Sequence, residues 1–262
     1  MAQLRFFQAT GDRSYLSRAL EAGAHLQSTA VLADDGPYWL REGMEYAGLG
    51  HGGAGIALFL LYLSAASGDP EFCTLGRRAL ERVISQAVVT PVEGLTWRVQ
   101  AGHPTITPYW RWGSAGIGMV IARYNAQLPL RPFTATLERI LLDTDRKYSI
   151  FPGQHLGLSG IGEFLLDLAH WQPALADRAT AASRKILSGT LLFRLQRPEG
   201  VAFPGESRTR ISCDYATGSA GVASFVHRCL SGDAQPFLLD ALLERGHQLA
   251  QAPKARVVEA VG

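Results

Sequence analysis

Three side chains able to move protons or hold an anion stand just ahead of glycine-rich segments: His51 before Gly52, Arg111 before Gly113, and His155 before Gly157. Imidazole, with an ordinary pKa of about 6.5, can take or return a proton near neutral pH. A guanidinium can steady a developing oxyanion through charge-assisted hydrogen bonds. Arg111 lies among Tyr109, Trp110 and Trp112, an aromatic cluster that suits either a peptide groove or space filling. Asp214 and Tyr215 precede a fourth glycine segment, and an Asp there reads first as a helix-capping carboxylate. Each histidine has a plain alternative as a polar core residue or a helix cap. Other chemistries find less support. Glycoside hydrolysis needs paired carboxylates, and the motif positions hold only Asp214 and Glu163. His25, His103, His170, His227 and His247 show no ligand spacing, and Cys73, Cys213 and Cys229 form no CxxC pair. Cys213 and Cys229 read as buried small hydrophobes.

The elements that must position these residues follow from a repeat. Gly52-Gly-Ala-Gly55-Ile, Gly113-Ser-Ala-Gly116-Ile, Gly157-Leu-Ser-Gly160-Ile and Gly218-Ser-Ala-Gly221-Val share the pattern G-x-small-G-aliphatic, with second glycines spaced by 61, 44 and 61 residues. After each second glycine one apolar helical stripe recurs, as in Ile56, Phe59, Leu60 and Leu63. A turn and a second amphipathic stretch follow, for example Phe72 to Val83 and Ala176 to Leu187. Each unit therefore reads as helix, turn, helix. The small residues predict close convergence of helix starts around a pocket, with free N–H groups pointing into it. Residues 92–106 and 190–212 read as long loops or short hairpins over one face. Ala9-Thr-Gly-Asp12 matches Ala66-Ser-Gly-Asp69, so the chain is expected to begin inside a repeat. An apolar edge left by an incomplete first repeat predicts a homo-oligomer or an N-terminal partner.

Composition sets outer limits. The 262 residues are 47% hydrophobic, carry a formal net charge of +2 and show no run of like charge. That gives no electrostatic footprint for nucleic acid or membrane. The longest apolar run, Gly55 to Ala66, is far short of the roughly 20 residues needed to cross a bilayer, and the N-terminus lacks an export signal. A cytoplasmic setting with reduced thiols is expected.

Gly48-Leu-Gly-His-Gly-Gly-Ala-Gly-Ile56, Trp110-Arg-Trp-Gly-Ser-Ala-Gly-Ile117, His155-Leu-Gly-Leu-Ser-Gly-Ile-Gly-Glu163 and Asp214-Tyr-Ala-Thr-Gly-Ser-Ala-Gly221 together resemble the lanthionine synthetase C-like family. Phe193 to Gly205, leading into Ser212 to Gly218, further resembles the C-terminal cyclase domain of class III lanthipeptide synthetases. The resemblance implies an all-α protein, an α/α toroid of inner and outer helices. It would form one domain over 1–262, with a partial first repeat at 1–47 and repeats starting near 48, 110, 154 and 214.

The implied activity is intramolecular Michael addition of a peptide cysteine thiol to dehydroalanine or dehydrobutyrine, forming lanthionine or labionin rings. Zinc-dependent members bind the metal through Cys in Trp-Cys-(His/Tyr)-Gly and through Cys-His in Cys-His-Gly. Those positions here are Arg111, His155 and Leu156, and only His155 has a coordinating lone pair. No metal and no other cofactor is therefore expected. Thr107 stands where the family has an arginine. By family position His51 is the acid/base candidate, with His155 a thiol base and Arg111 an enolate-holding group. Tyr109, Trp110, Trp112, Asp214 and Tyr215 would contact substrate. The implied partners are a dehydrated precursor peptide and the kinase and lyase domains of a synthetase. The alternative is a catalytically degenerate toroid that binds peptide or acts as a scaffold.

Overall fold

The computed structural model describes residues 1–233 and 238–244. The four glycine motifs start four helices: α3 (Gly53–Ser67), α5 (Ser114–Gln127), α7 (Leu158–Trp171) and α9 (Ser219–Ser231). Each first glycine is the N-cap, with extended backbone. The paired second helices are α4 (Pro70–Ser85), α6 (Thr134–Thr144) and α8 (Ala176–Thr190). Ahead of them come α1 (Ala2–Thr10) and α2 (Arg13–Thr29).

The hairpin turns are punctuated by one device. Gly11 and Gly68 close α1 and α3 at φ 72° and 80°, a left-handed conformation that glycine adopts without a Cβ penalty. Asp12 and Asp69 then cap α2 and α4, accepting the N–H of Ser14 and Glu71 at 2.8 and 2.9 Å. Gly232 closes α9 in the same left-handed conformation, at φ 74°.

Helices α3, α5, α7 and α9 pack side by side as an inner arc, with α1 against α3. Helices α4, α6 and α8 lie behind their own partners. The described residues form an open arc of this α/α architecture, not a closed barrel. An inner helix has neighbours on several sides, which is why α5 is buried from Ser114 to Ala126. Short antiparallel pairs lie over the loops. Strands β5 (Val88–Val89), β6 (Leu95–Arg98) and β7 (Ile106–Thr107) form one sheet, and β8 (Leu195–Arg197) pairs with β9 (Gly200–Ala202). Strands β6, β8 and β9 fall in the two stretches expected to be loops or hairpins, whereas β5 lies ahead of the first and β7 begins at its last residue. Two further hairpins were not expected: β1 (Val31–Ala33) with β2 (Gly36–Tyr38), and β3 (Leu40–Arg41) with β4 (Met44–Glu45).

Toward the far ends of the inner helices the core turns ionic. Tyr62, Arg123, Asp167 and Arg228 all stand seven residues after the second glycine of their repeat, and all are buried. Arg123 pairs with Asp167 at 2.6 Å and holds both oxygens of Asp240 at 2.6 and 2.7 Å. Arg228 pairs with Asp167 and Glu163, each at 2.5 Å, and Tyr62 donates to Asp240. Glu163, one of the two carboxylates at the motif positions, belongs to this network.

Candidate active site

The loop before each inner helix folds back over the helix start. Hence the N–H groups of the first turn are not free, contrary to the expectation from the sequence. Those of Gly53, Ala54, Ala115, Leu158, Ser159 and Ser219 donate to carbonyls seven residues upstream, at 2.8–3.1 Å. The second glycine exists for this close approach. A Cβ on Gly55, Gly116, Gly160 or Gly221 would lie 1.8–2.2 Å from the carbonyl oxygen six residues earlier. Convergence between repeats is real as well. The same Cβ would meet the Cβ of Leu49 at Gly116, of Trp110 at Gly160 and of Gln154 at Gly221, at 2.7–3.0 Å.

Successive loops are joined by a backbone ladder. Gly50 donates to Arg111 at 2.8 Å, Arg111 to His155 at 3.1 Å, and His155 to Ala216 at 2.8 Å. These are equivalent positions, each five residues before a second glycine. The ladder brings Arg111 and His155 together at the mouth of the arc, and His51 follows the first rung. Arg111 donates to Nε2 of His51 through Nε at 3.1 Å and through Nη2 at 2.6 Å. Arg41, on β3, lies 3.2 Å from His51 Nδ1. Burial, reinforced by the charges of Arg111 and Arg41, holds His51 below the usual imidazole range. Burial and Arg111 do the same to His155, against an opposing pull from Asp214. Both shifts favour the neutral ring. His155 stacks on Trp110, with centroids 5.2 Å apart and planes 12° apart.

The remaining residues divide by location. The Arg111 guanidinium lies 4.7 Å from the Trp112 ring centroid, and Trp112 is only half-buried, so it lines the mouth instead of filling an interior. Tyr109 bonds Ser149 at 3.0 Å, and Trp110 points its Nε1 at the Met119 sulfur. Asp214 is exposed and does not cap α9, whose cap is Gly218. It braces the preceding turn by accepting from the Thr217 N–H at 2.7 Å and from the hydroxyls of Thr217 and Ser212. Those hydrogen bonds lower its pKa to about 2. Tyr215 is half-buried and lends its carbonyl to the packing on Gly221. Cys213 is exposed, against expectation, while Cys229 is half-buried with a thiol pushed up to about 11 by burial. His247 lies outside the described residues.

His51 faces two cavities. One, of about 530 Å³, is largely apolar and lined by Leu26, Leu49, Ile56 and Phe59 with His25. The other, of about 290 Å³, is polar and lined by Arg41, Tyr46, Gln100 and Trp112. Neither Arg41 nor His25 was signalled by the sequence, because their hairpin and helix carry no glycine motif.

The mouth does not fit a zinc ion. A guanidinium has no lone pair to give, Leu156 has no donor, and the His155 ring is stacked on indole. Among the described residues no three His, Cys, Asp or Glu side chains gather as a ligand set.

Helical hairpins in an arc, with imidazole and guanidinium groups on the loops that start the inner helices, define an α/α repeat protein with a polar mouth. A family model described as lanthionine synthetase C-like protein matches residues 1–243, and the chain belongs to that family. The "Probable SapB synthase" of Streptomyces coelicolor is 32% identical over 200 residues, covering 75% of this chain and 21% of that protein. The chain thus spans about a fifth of the length of this curated relative. No helix among the described residues is long and apolar enough to cross a membrane.

Proposed function

We propose that the chain is a cytoplasmic, zinc-independent lanthipeptide cyclase of the class III kind, acting on a dehydrated precursor peptide made by kinase and lyase domains. The observation that carries this reading is the pair of imidazoles gathered at Arg111, His51 through its side chain and His155 through the backbone ladder. A cysteine thiol, of ordinary pKa about 8.5, must lose its proton before it adds to the β-carbon of dehydroalanine. The ring of His155 accepts no hydrogen bond from the described residues, so it is the group free to take that proton. Addition forms the C–S bond and leaves an enolate, which Arg111 stabilises by charge-assisted hydrogen bonds. The α-carbon then takes back the proton that His155 removed, while His51, whose Nε2 is occupied by Arg111, holds that guanidinium in place. No atom is gained or lost overall. Tyr109, Trp110, Trp112 and Tyr215 would flank the peptide, and Asp214 would hold the loop that carries Tyr215.

The test is loss of free thiol without mass change when the protein is added to a dehydrated, cysteine-bearing peptide, followed by thiol alkylation and mass spectrometry. H155N should slow the reaction about 100-fold, the usual scale for a general base. Equal rates with and without protein would sink the catalytic reading. Elemental analysis finding about one zinc per chain would sink its zinc independence.

A specific observation favours a second reading, a peptide-binding scaffold. Arg111 occupies the Nε2 lone pair of His51, and a histidine held this way is a structural brace as much as an acid. Tight peptide binding without acceleration would decide for it.

A further inference from the structure

The contacts around His51 contain a mismatch. Arg111 donates to Nε2 through two N–H groups, so Nε2 must carry the lone pair, and the proton of a neutral ring sits on Nδ1. Nδ1 faces Nη1 of Arg41 at 3.2 Å, and a guanidinium has only donors. Two N–H groups therefore point at one another with no acceptor between them. They open on the polar cavity of about 290 Å³, whose lining adds the hydrogen-bonding side chains of Tyr46, Gln100 and Trp112. The one carboxylate on that lining, Glu42, sits 3.8 Å from the opposite side of Arg41, at Nε, with its side chain 84% exposed. It does not reach between the two donors.

We infer that this cavity is an oxyanion-binding site, built by Arg41 and the Nδ1–H of His51 and completed by Tyr46 and Gln100. The ligand class is a carboxylate or phosphate group, which accepts from a guanidinium fork and from an imidazole N–H at once. An anion there removes the mismatch and adds charge pairing to Arg41. Because the site adjoins the mouth, the anion is carried by the peptide, close to the residues being joined. The proposed cyclase activity is needed only for this last step. The site itself stands on the donors and the cavity.

The test starts without peptide. Inorganic phosphate and acetate are titrated into the full chain while the His51 ring signals are followed by NMR. Saturable shifts with a dissociation constant on the order of 1 mM are expected for at least one of them. R41Q should weaken that binding tenfold or more, and E42Q should bind at least as tightly as the parent chain. No saturable shift, or equal binding by R41Q, overturns the site. The carrier is then tested with three peptides bearing Glu, phosphoserine or Ala beside the reacting pair. A preference for one of the two acidic peptides that vanishes in R41Q supports the peptide as source and identifies the anion. Small-anion binding without any peptide preference overturns the peptide as carrier. Failure of all three peptides to cyclise counts against the cyclase reading and leaves the anion result intact.

Discussion

A neutral imidazole is useful only over the pH range in which it stays neutral. At His51 and His155 that range extends downward, because burial first and Arg111 second disfavour the protonated ring. The sign follows directly. A base with a lowered pKa loses activity only as pH falls through that lowered value, so the acid limb of a cyclisation profile should lie below about 6.5, with a flat region through pH 7. R111Q removes one positive neighbour from both rings and should move the limb up toward 6.5 while lowering the plateau rate. A limb that stays put in R111Q would show that Arg111 does not set the ionisation. His51, Arg111 and His155 were legible in the sequence because each lies within five residues of a second glycine, and the motif fixes its place on the ladder. Arg41 was not. It reaches His51 from a hairpin whose strands are two residues long, and pairs that short leave no alternation to read.

At the scale of elements, glycine acts by subtraction. The loop ahead of each inner helix lies against the helix so closely that a methyl group has nowhere to go, and in Gly116 that group would sit 1.8 Å from the Trp110 oxygen and 2.9 Å from Leu49 Cβ. Backbone cannot give way as a flexible side chain does. We expect G116A to destabilise by about 4 kcal/mol or more, at the extreme of single substitutions, and to disturb the ladder that holds Arg111. G11A offers the contrast. Its Cβ meets nothing within 4 Å, and only the left-handed backbone at φ 72° is strained, at a cost of about 1 kcal/mol. Urea melts of the two variants should separate them clearly, and equal midpoints would refute the close-approach account. The same economy explains what the sequence disclosed. Helix starts and ends were marked by residues that only one backbone geometry tolerates. Purpose was less legible, since the small residues suggested open N–H groups where the loops in fact satisfy them.

For the whole molecule, the decisive interaction lies away from the mouth. Position seven after the second glycine is about 10 Å along each inner helix, and there four repeats contribute Tyr62, Arg123, Asp167 and Arg228 to one buried network. No single repeat reveals it. A lone Tyr, Arg or Asp at that position looks like an unremarkable polar residue, and only the ring of neighbours makes opposite charges meet. Asp167 is the hub, because it touches both Arg123 and Arg228. D167N keeps the volume but leaves two buried guanidinium groups short of charge, and breaking a buried pair in this way costs about 3–5 kcal/mol. The exposed pair of Lys185 and Asp145, at 2.5 Å, is shorter than several buried contacts, yet K185A should cost no more than about 1 kcal/mol because water replaces the partner. Measured side by side at pH 7, the two variants rank burial against distance. If D167N melted with K185A, the network would be ornament and the arc would be held by its apolar faces alone. If D167N is the weaker protein by several kcal/mol, the inner helices are locked in register by charge, and the mouth above them inherits its geometry from that lock.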